Sequence, residues 1–235
     1  MNKVLTKKLN AARKALDYIR DGYVIGLGSG TTMYLFAELL AESIKKNGYE
    51  LYVIPTSVDM ELKAKQLGLN VVNLNDYPEP DIAVDGADVV DRDLNLIKGG
   101  GGALTREKIV DYSSRDLIII VDDSKLRDIL WSSRIPVEVL PFAWRKTAQL
   151  IEEKYNARVE LRMCRGGKLG PIITDNNNYI IDVYFQKEPE NDPAYIEREI
   201  NTIIGVVENG IFNSSMISRV IVGNEKGFQV MQAYK

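Results

Sequence analysis

The chain has 235 residues, of which 45% are hydrophobic and 27% are charged, and these ordinary globular values exclude a disordered or membrane class. The formal net charge is −3 and the basic residues are dispersed, which argues against general nucleic-acid binding. Histidine is absent and cysteine occurs once, so histidine-dependent triads, histidine-ligated zinc and an internal disulfide are excluded. Acid–base chemistry must therefore come from carboxylates, lysine, tyrosine or Cys164. Because we find neither a signal-peptide core nor a stretch of about 18 apolar residues, we expect a cytoplasmic protein.

Strands and helices alternate along the first part of the chain. Apolar spacing predicts helices at 3–20, 33–46 and 59–67, and strands at 23–27, 50–54, 70–74, 82–84 and 117–121. The continuous apolar run at 117–121 is typical of a strand that is buried on both faces of a parallel sheet. The alternation predicts an α/β fold with an open, mainly parallel Rossmann-like sheet wound with helices.

The pattern changes after about residue 135. It predicts strands at 137–140 and 158–163, helices at 142–155 and 193–203, and a hairpin turn at 175–178. This β-α-β-β-α-β order resembles a ferredoxin-like unit. A last predicted hairpin, 219–222 with 228–231, can return to the main sheet. We therefore predict an α/β catalytic domain at 1–130 and 208–235, and a small α+β ferredoxin-like domain at 131–207.

Polar loops follow four of the predicted strands. They are Gly28–Thr32, Ser57, Asp85–Asp88 and Asp122–Lys125. Ligands of open α/β sheets bind at the carboxyl ends of the strands, so we expect these loops to form one site together.

A run of four glycines, Gly99–Gly102, is the most distinctive feature of the chain. Glycine lets a ligand approach the backbone N–H groups, and a helix predicted to begin near Ala103 would point its positive end at that ligand. Lys98 precedes the run, so the sequence predicts a site for a small anion. Glu107 lies in the first turns of that helix, either as a functional carboxylate or as a surface charge that complements the helix dipole.

Two other motifs do not support the functions that they first suggest. The spacing Gly26-x-Gly28-x-Gly30 lacks both the third glycine of a dinucleotide fingerprint and the acid that should end the second strand. The segment Asp91–Asn95 begins like a calcium loop, but leucine and glycine stand at positions that require glycine and glutamate. We therefore predict neither a dinucleotide site nor a metal site, and interpret Asp91–Asn95 as a solvated turn.

Several phrases in this order and spacing resemble the A-type ribose-5-phosphate isomerase family. They are GLGSGTT, TSVDMELKAKQLG, AVDGAD, LIKGGGGALTREKIV, VDDSKL, PVEVLP and TDNNNYIIDV, and they span essentially the whole chain. IKGGGGALTREK is very specific, whereas GLGSGTT alone is weak evidence. One departure is Val89, where many members would have glutamate.

The resemblance implies an aldose-ketose isomerase that interconverts D-ribose 5-phosphate and D-ribulose 5-phosphate through an enediolate in the pentose phosphate pathway. It implies no cofactor, no metal, and a homodimer or homotetramer. Glu107 matches the family's base, Lys98 and the N–H groups of the glycine run would stabilise the oxyanion, and Asp85 with Asp88 would handle hydroxyl protons and ring opening. The implied substrate-binding residues are Ser29, Gly30, Thr31, Thr32, Asp85, Gly86, Ala87, Asp88, Lys98, Gly99, Gly100, Gly101 and Lys125.

Two other functional classes remain as alternatives. A sugar-phosphate-sensing regulator would share the fold, but it needs a DNA-reading domain, and only about 22 residues precede the first predicted strand. An enzyme similar to the coenzyme A transferases would use its glutamate as a nucleophile, and a covalent adduct would support that class.

Overall fold

The computed structural model describes residues 3–167 and 169–232. In that part of the chain the helices are α1 (Lys3–Ala15), α2 (Thr31–Asn47), α3 (Val58–Gln66), α4 (Leu104–Ser113), α5 (Trp144–Tyr155) and α6 (Pro193–Asn201). The strands are β1 (Val24–Leu27), β2 (Tyr52–Pro55), β3 (Asn70–Val71), β4 (Ile82–Asp85), β5 (Val89–Val90), β6 (Leu96–Ile97), β7 (Leu117–Asp122), β8 (Ile135–Val139), β9 (Ala157–Leu161), β10 (Tyr179–Phe185), β11 (Val206–Asn209), β12 (Ile211–Phe212), β13 (Arg219–Asn224) and β14 (Gly227–Gln232).

The chain divides into two compact units, which we describe separately. Unit 1 comprises Met1–Ala87, Arg106–Leu126 and Ser214–Lys235, and unit 2 comprises Asp88–Thr105 and Arg127–Asn213. The functional domains that we predicted at 1–130 with 208–235 and at 131–207 stay a prediction, and residues 1–2 and 233–235 lie outside the described part. Residues 88–105 belong to compact unit 2, whereas the predicted boundaries assign them to the catalytic domain.

Unit 1 is built on a seven-stranded sheet with the order β14-β13-β7-β4-β1-β2-β3. All neighbours are parallel except β13 and β14, which form the predicted closing hairpin and join the sheet beside β7. Every residue of β1, β4 and β7 is buried, which is the pattern expected of a parallel sheet covered on both faces. The predicted α/β class and the mainly parallel sheet are therefore confirmed.

The two faces of this sheet bury different helices. On one face Ile25 and Leu27 of β1 belong to a core with alanines of α1 and with Phe36 and Leu40 of α2. On the other face Val24 packs with Val110 of α4. Alternate residues of one strand point to opposite faces, so both faces are covered by helices, as a doubly wound sheet requires.

The strand order of unit 1 changes direction between β1 and β4. The chain runs outward from β1 through β2 to β3, and then returns to β4 on the other side of β1 before continuing to β7 and β13. Loops that leave neighbouring strands in opposite directions open a crevice at this switch point. The loops after β1 and β4 therefore lie where an open α/β sheet binds ligands.

Unit 2 contains a four-stranded antiparallel sheet with the order β11-β8-β10-β9. The chain order β8-α5-β9-β10-α6-β11 with this pairing is the ferredoxin-like arrangement that the sequence predicted. The core is aliphatic, with Ile151 of α5 and Ile196 of α6 packed against residues such as Val137 and Ile181 of the sheet. A second, three-stranded sheet of unit 2 has the order β12-β6-β5.

The ends of three helices have local causes. Ser57 caps α3 by accepting a hydrogen bond from the N–H of Met60 at 3.1 Å. Helix α2 ends at Gly48, which has φ of 72°, and begins two residues before the predicted start. Helix α5 begins at Trp144 rather than at residue 142, because Ala143 has a left-handed φ of 58°.

In two further predicted segments, side-chain hydrogen bonds set the observed structure. Strand β3 ends at Val71, three residues early, because the Asn73 side chain accepts hydrogen bonds from the backbone of Asn75 and Asp76 and starts a turn. The prediction of a solvated turn was wrong for Asp91 and Asn95. Both are buried, and the Asp91 carboxylate accepts the backbone N–H of Asn95 at 2.7 Å and its side-chain amide at 3.0 Å.

Within residues 3–167 and 169–232, no helix combines the length and the apolar character that crossing a bilayer requires.

Candidate active site

The first group of predicted site residues lies in unit 1, at the carboxyl ends of β1 and β2. Ser29 donates a hydrogen bond to Ser57 at 2.6 Å and shares another with Thr56 at 2.9 Å. These three hydroxyls come from two different loops, so the sheet brings together side chains that are almost thirty residues apart, 29 and 57.

The predicted phosphate site, Ser29–Thr32, forms the start of helix α2. Gly30 is the N-cap residue, with φ of 107°, and no side-chain hydrogen bond caps this helix end. The first N–H groups of α2 and the Thr31 hydroxyl are donors that suit a phosphate. Sequence analysis missed Lys8, whose ammonium donates to the Thr31 hydroxyl at 2.7 Å. Its position in α1 gave no signal, because the contact spans 23 residues.

Asp85 ends β4 at the switch point of the sheet and is fully buried, with 0% of its surface exposed. Its carboxylate accepts the N–H of Gly86 at 2.6 Å. The carboxylate also lies against Gly28, where an added Cβ would come within 1.9 Å of Asp85 Oδ1. Gly28 therefore makes room for a protein carboxylate, and the backbone bond from Gly28 N–H to Val84 C=O at 2.9 Å fixes the two loops together.

Lys125 lies in a short 3₁₀ turn, Asp123–Lys125, that follows β7 in unit 1. Asp122 caps this turn by accepting the N–H of Ser124 at 3.0 Å. Asp123 pairs with Lys7 at 2.7 Å, and this hydrogen bond raises the pKa of the Lys7 ammonium. Lys7 and Lys8 thus anchor α1 to two of the loops that the sequence predicted to carry the site.

Glu107 lies in the first turn of α4 and is assigned to unit 1. Only 5% of its surface is exposed. A solvated charge that merely complements the helix dipole would be exposed, so that interpretation of Glu107 is wrong. The burial of a carboxylate needs a functional or structural reason, because a charge loses hydration when it leaves water.

The remaining predicted residues, Asp88, Lys98 and Gly99–Gly101, lie in unit 2. Lys98 follows strand β6 and has 2% of its surface exposed. Its ammonium lies 5.3 Å from the centre of the Phe212 ring, and its backbone N–H donates to Gly210 at 2.9 Å. The tertiary structure thus holds a cation in a largely water-excluded position, where its electrostatic effect is strong.

Each glycine of the run serves a different purpose. Gly99 and Gly102 have φ of 93° and 86°, which side chains rarely adopt. Gly100 gives its N–H to the Asp88 carboxylate at 2.7 Å, and an added Cβ would lie 2.7 Å from the same oxygen. Only at Gly101, among these four, would an added Cβ meet no atom of the described chain within 4 Å. At Gly99 and Gly100 the space that a side chain would need is therefore occupied by protein groups, whereas at Gly101 it is open.

Sequence analysis also missed two buried side chains of unit 2 that hold this loop. Arg162 donates to the carbonyl oxygens of Gly99 and Gly100 at 2.8 and 3.1 Å. Glu138, which is fully buried, accepts a hydrogen bond from Thr105 in the first turn of α4 at 2.5 Å. Three further donors complete the shell of Glu138, and they are Thr174, Asn176 and Asn178. The phrases PVEVLP and TDNNNYIIDV contained Glu138 and its partners, but no local pattern pointed to their pairing.

The fold defines an α/β protein of the doubly wound class, with polar side chains gathered at the switch point of its sheet. The family model "Ribose 5-phosphate isomerase A (phosphoriboisomerase A)" matches residues 52–227. The chain therefore belongs to the ribose-5-phosphate isomerase A family.

Individual relatives match over almost the entire chain. Ribose-5-phosphate isomerase A of Methanococcus aeolicus is 46% identical over 96% of this chain and 94% of its own length. The protein of the same name from Archaeoglobus fulgidus is 48% identical over 93% of this chain and 96% of its own length.

Solved structures of similar proteins have the same fold. The structure of ribose 5-phosphate isomerase A from Methanocaldococcus jannaschii is 42% identical, with a TM-score of 0.89 over 96% of this chain and 97% of that one. A D-ribose-5-phosphate isomerase in complex with phospho-erythronic acid is 43% identical, with a TM-score of 0.92 over 99% of this chain and all of that one.

Proposed function

We propose that this chain interconverts D-ribose 5-phosphate and D-ribulose 5-phosphate through an enediolate, as an aldose-ketose isomerase of the non-oxidative pentose phosphate pathway. The observation that carries this proposal is the match to ribose-5-phosphate isomerase A relatives along nearly the whole chain. The site residues that the sequence predicted supply the groups that this reaction needs, and the proposed mechanism requires no cofactor.

Glu107 is the proposed general base. Moving the carbonyl from C1 to C2 requires removal of the C2 proton and its return at C1, and one carboxylate can do both. Histidine, the most frequent base of enzymes, is absent from this chain. The burial of Glu107 supports this role, because interactions between a charged side chain and the substrate are stronger where bulk water is excluded.

Lys98 and the N–H groups of the glycine run are the proposed oxyanion stabilisers. The enediolate carries negative charge on oxygen, and fixed donors in a site of low dielectric constant stabilise such charge without reorganising. The near-complete burial of Lys98 supports this assignment. We propose that Asp85 and Asp88 exchange protons with the sugar hydroxyls and assist ring opening.

Ser29–Thr32, with Lys125, are the proposed 5-phosphate site. The N-cap residue of α2 is Gly30, and no side chain caps this helix end. The first backbone N–H groups of α2 can therefore donate to the phosphate oxygens. Lys8 adds a positive charge at the same place through its hydrogen bond to Thr31. A relative 43% identical to this chain was solved with phospho-erythronic acid, which supports the binding of a phosphorylated sugar here.

The proposal extends to location and assembly. On family resemblance we propose a cytoplasmic homodimer or homotetramer that acts on a small sugar phosphate rather than on nucleic acid or membranes. Sedimentation of the purified chain measures the oligomeric state, and a monomer would contradict this part of the proposal.

The proposal is tested by supplying ribose 5-phosphate in deuterated water and analysing early product by NMR. Proton transfer through Glu107 permits exchange with solvent, so we expect deuterium at C1 of ribulose 5-phosphate. Absence of any ribulose 5-phosphate would contradict the activity. Unlabelled product, in which the hydrogen has moved intact from C2 to C1, would contradict the enediolate route. The exception is a fully shielded base, which is recognised if the shorter side chain of Glu107→Asp gives product with deuterium at C1.

A further inference from the structure

The glycine run contains two carbonyl groups that accept hydrogen bonds from the same side chain. Arg162 Nη1 donates to Gly99 C=O at 2.8 Å and to Gly100 C=O at 3.1 Å. In a planar trans peptide the carbonyl and the N–H of the following residue point in opposite directions. The N–H groups of Gly100 and Gly101 must therefore point away from Arg162.

The hydrogen bond of Gly100 agrees with this geometry. Its N–H donates to the Asp88 carboxylate at 2.7 Å. The next N–H, that of Gly101, belongs to an exposed residue at which an added Cβ would meet no described atom within 4 Å. Arg162 thus sets the direction of the Gly100 N–H, which holds Asp88, and of the Gly101 N–H, which lies where a ligand has room.

Arg162 is itself fixed by a buried ion pair. Only 7% of Arg162 and 3% of Asp182 is exposed. Arg162 Nε donates to one oxygen of the Asp182 carboxylate at 2.9 Å and Nη2 donates to the other. Arg134 donates to the same carboxylate at 3.1 Å. The planar guanidinium can serve the carboxylate and the carbonyls at once because its five donors have a rigid geometry.

A glycine run needs such a restraint more than other loops do. Glycine lacks a Cβ, so peptide orientations that other residues forbid are open to it, and a run of four has many of them. Without donors on its carbonyls, the Gly100–Gly101 peptide can rotate and turn its N–H away from the site. A local hydrogen bond from Gly102 N–H to Gly99 C=O at 3.0 Å restrains the turn, and Arg162 adds the tertiary contact that also holds Gly100 C=O.

We propose that Arg162 is a positioning residue for the isomerisation, which orients the Gly101 N–H toward the enediolate oxygen and, through Gly100, holds Asp88. The inference rests on the proposed function, since it assumes that the Gly101 N–H stabilises the oxyanion of the enediolate. Arg162 acts through the peptide groups of the loop and touches no reacting atom.

The first test compares the steady-state kinetics of Arg162→Lys with those of Arg134→Met. Lysine keeps a positive charge beside Asp182, so the variant can fold. One ammonium cannot make both hydrogen bonds to the Asp182 carboxylate and both hydrogen bonds to the glycine carbonyls. We expect kcat to fall about 10- to 100-fold while KM for ribose 5-phosphate stays within about threefold, as for loss of a transition-state interaction. Arg134→Met is the matched control, because Arg134 shares the Asp182 carboxylate but, within the described chain, makes no hydrogen bond to Gly99 or Gly100.

The second test separates loop orientation from general loss of structure. Phospho-erythronic acid carries a carboxylate that resembles the charge of the enediolate, whereas inorganic phosphate probes the phosphate site alone. By calorimetry we expect Arg162→Lys to weaken binding of the acid about tenfold or more and to leave phosphate affinity within about twofold. If Arg162→Lys does not fold, the double variant Arg162→Met/Asp182→Asn, which removes the buried charges together, takes its place.

Three results would overturn the inference: kcat of Arg162→Lys within about threefold of wild type, equal losses of affinity for both probes, or an equal loss of kcat in Arg134→Met. A wild-type chain that does not convert ribose 5-phosphate would instead refute the proposed function, and this inference with it.

Discussion

Asp85 occupies the space that a side chain at Gly28 would need. An added Cβ at Gly28 would lie 1.9 Å from Asp85 Oδ1 and 2.6 Å from its Cβ. Gly28 follows β1 and Asp85 ends the neighbouring strand β4 at the switch point of the unit 1 sheet, and Gly28 N–H donates to Val84 C=O. The Asp85 carboxylate can occupy this position only because residue 28 has no side chain.

We expect Gly28→Ala to inactivate the protein. The methyl group would displace the Asp85 carboxylate or the backbone, at a cost of about 1–3 kcal/mol in unfolding free energy, and would misplace a proposed proton-transfer group. Ribose 5-phosphate turnover and the thermal unfolding midpoint are the measurements. Gly166→Ala is the control, because an added Cβ there meets no described atom within 4 Å. A fully active Gly28→Ala protein would show that Asp85 does not need this position.

We expect Glu107→Gln to retain substrate binding and to lose turnover. The amide keeps the size of the buried side chain but cannot accept the C2 proton, so kcat should fall by roughly 10²- to 10⁴-fold or more. The two measurements are kcat and the protection that ribose 5-phosphate gives against thermal unfolding. Near-normal turnover would remove Glu107 as the base, and loss of protection would assign it a binding or structural role. Glu61→Gln, at a partly exposed carboxylate of α3, is the control.

We expect Lys8→Met to raise KM for ribose 5-phosphate and to change kcat little. The Lys8 ammonium lies 2.7 Å from the Thr31 hydroxyl, beside the proposed phosphate site, but this pair is exposed to solvent. Its electrostatic effect is therefore screened, and an increase of about three- to tenfold in KM is expected, declining as salt is added. Lys14→Met on the same helix is the control, since Lys14 pairs with Asp17 instead. An unchanged KM would mean that Lys8 does not act on the phosphate.

We expect activity to survive exhaustive treatment with EDTA. The chain has no histidine, and the described residues contain no group of three or more Cys, Asp or Glu side chains arranged to hold a metal ion. The Asp91 carboxylate, which begins the calcium-like segment, is instead used by the backbone and side chain of Asn95. Assays before and after chelation and dialysis measure the effect. Inactivation that one divalent metal reverses would contradict this expectation.

The sequence alone determined the strand and helix alternation and the doubly wound class, and it predicted candidate site residues. These features are local in origin: apolar runs predict buried strands, glycine and serine mark helix ends, and loops at strand ends in one parallel sheet share one edge. Glycine runs and charged residues are likewise visible in the sequence, and the quoted phrases are sufficient to indicate the family.

Only the tertiary structure decided what each of those residues faces. Gly28 faces Asp85, and Gly100 faces Asp88, although the sequence suggested a ligand at the glycine run. Arg162 meets Gly99 across 63 residues of chain, and Glu138 meets Thr105 across 33. Contacts of this kind leave no periodic or local signal, because pairing between distant side chains is set by sheet register and packing rather than by neighbours in sequence.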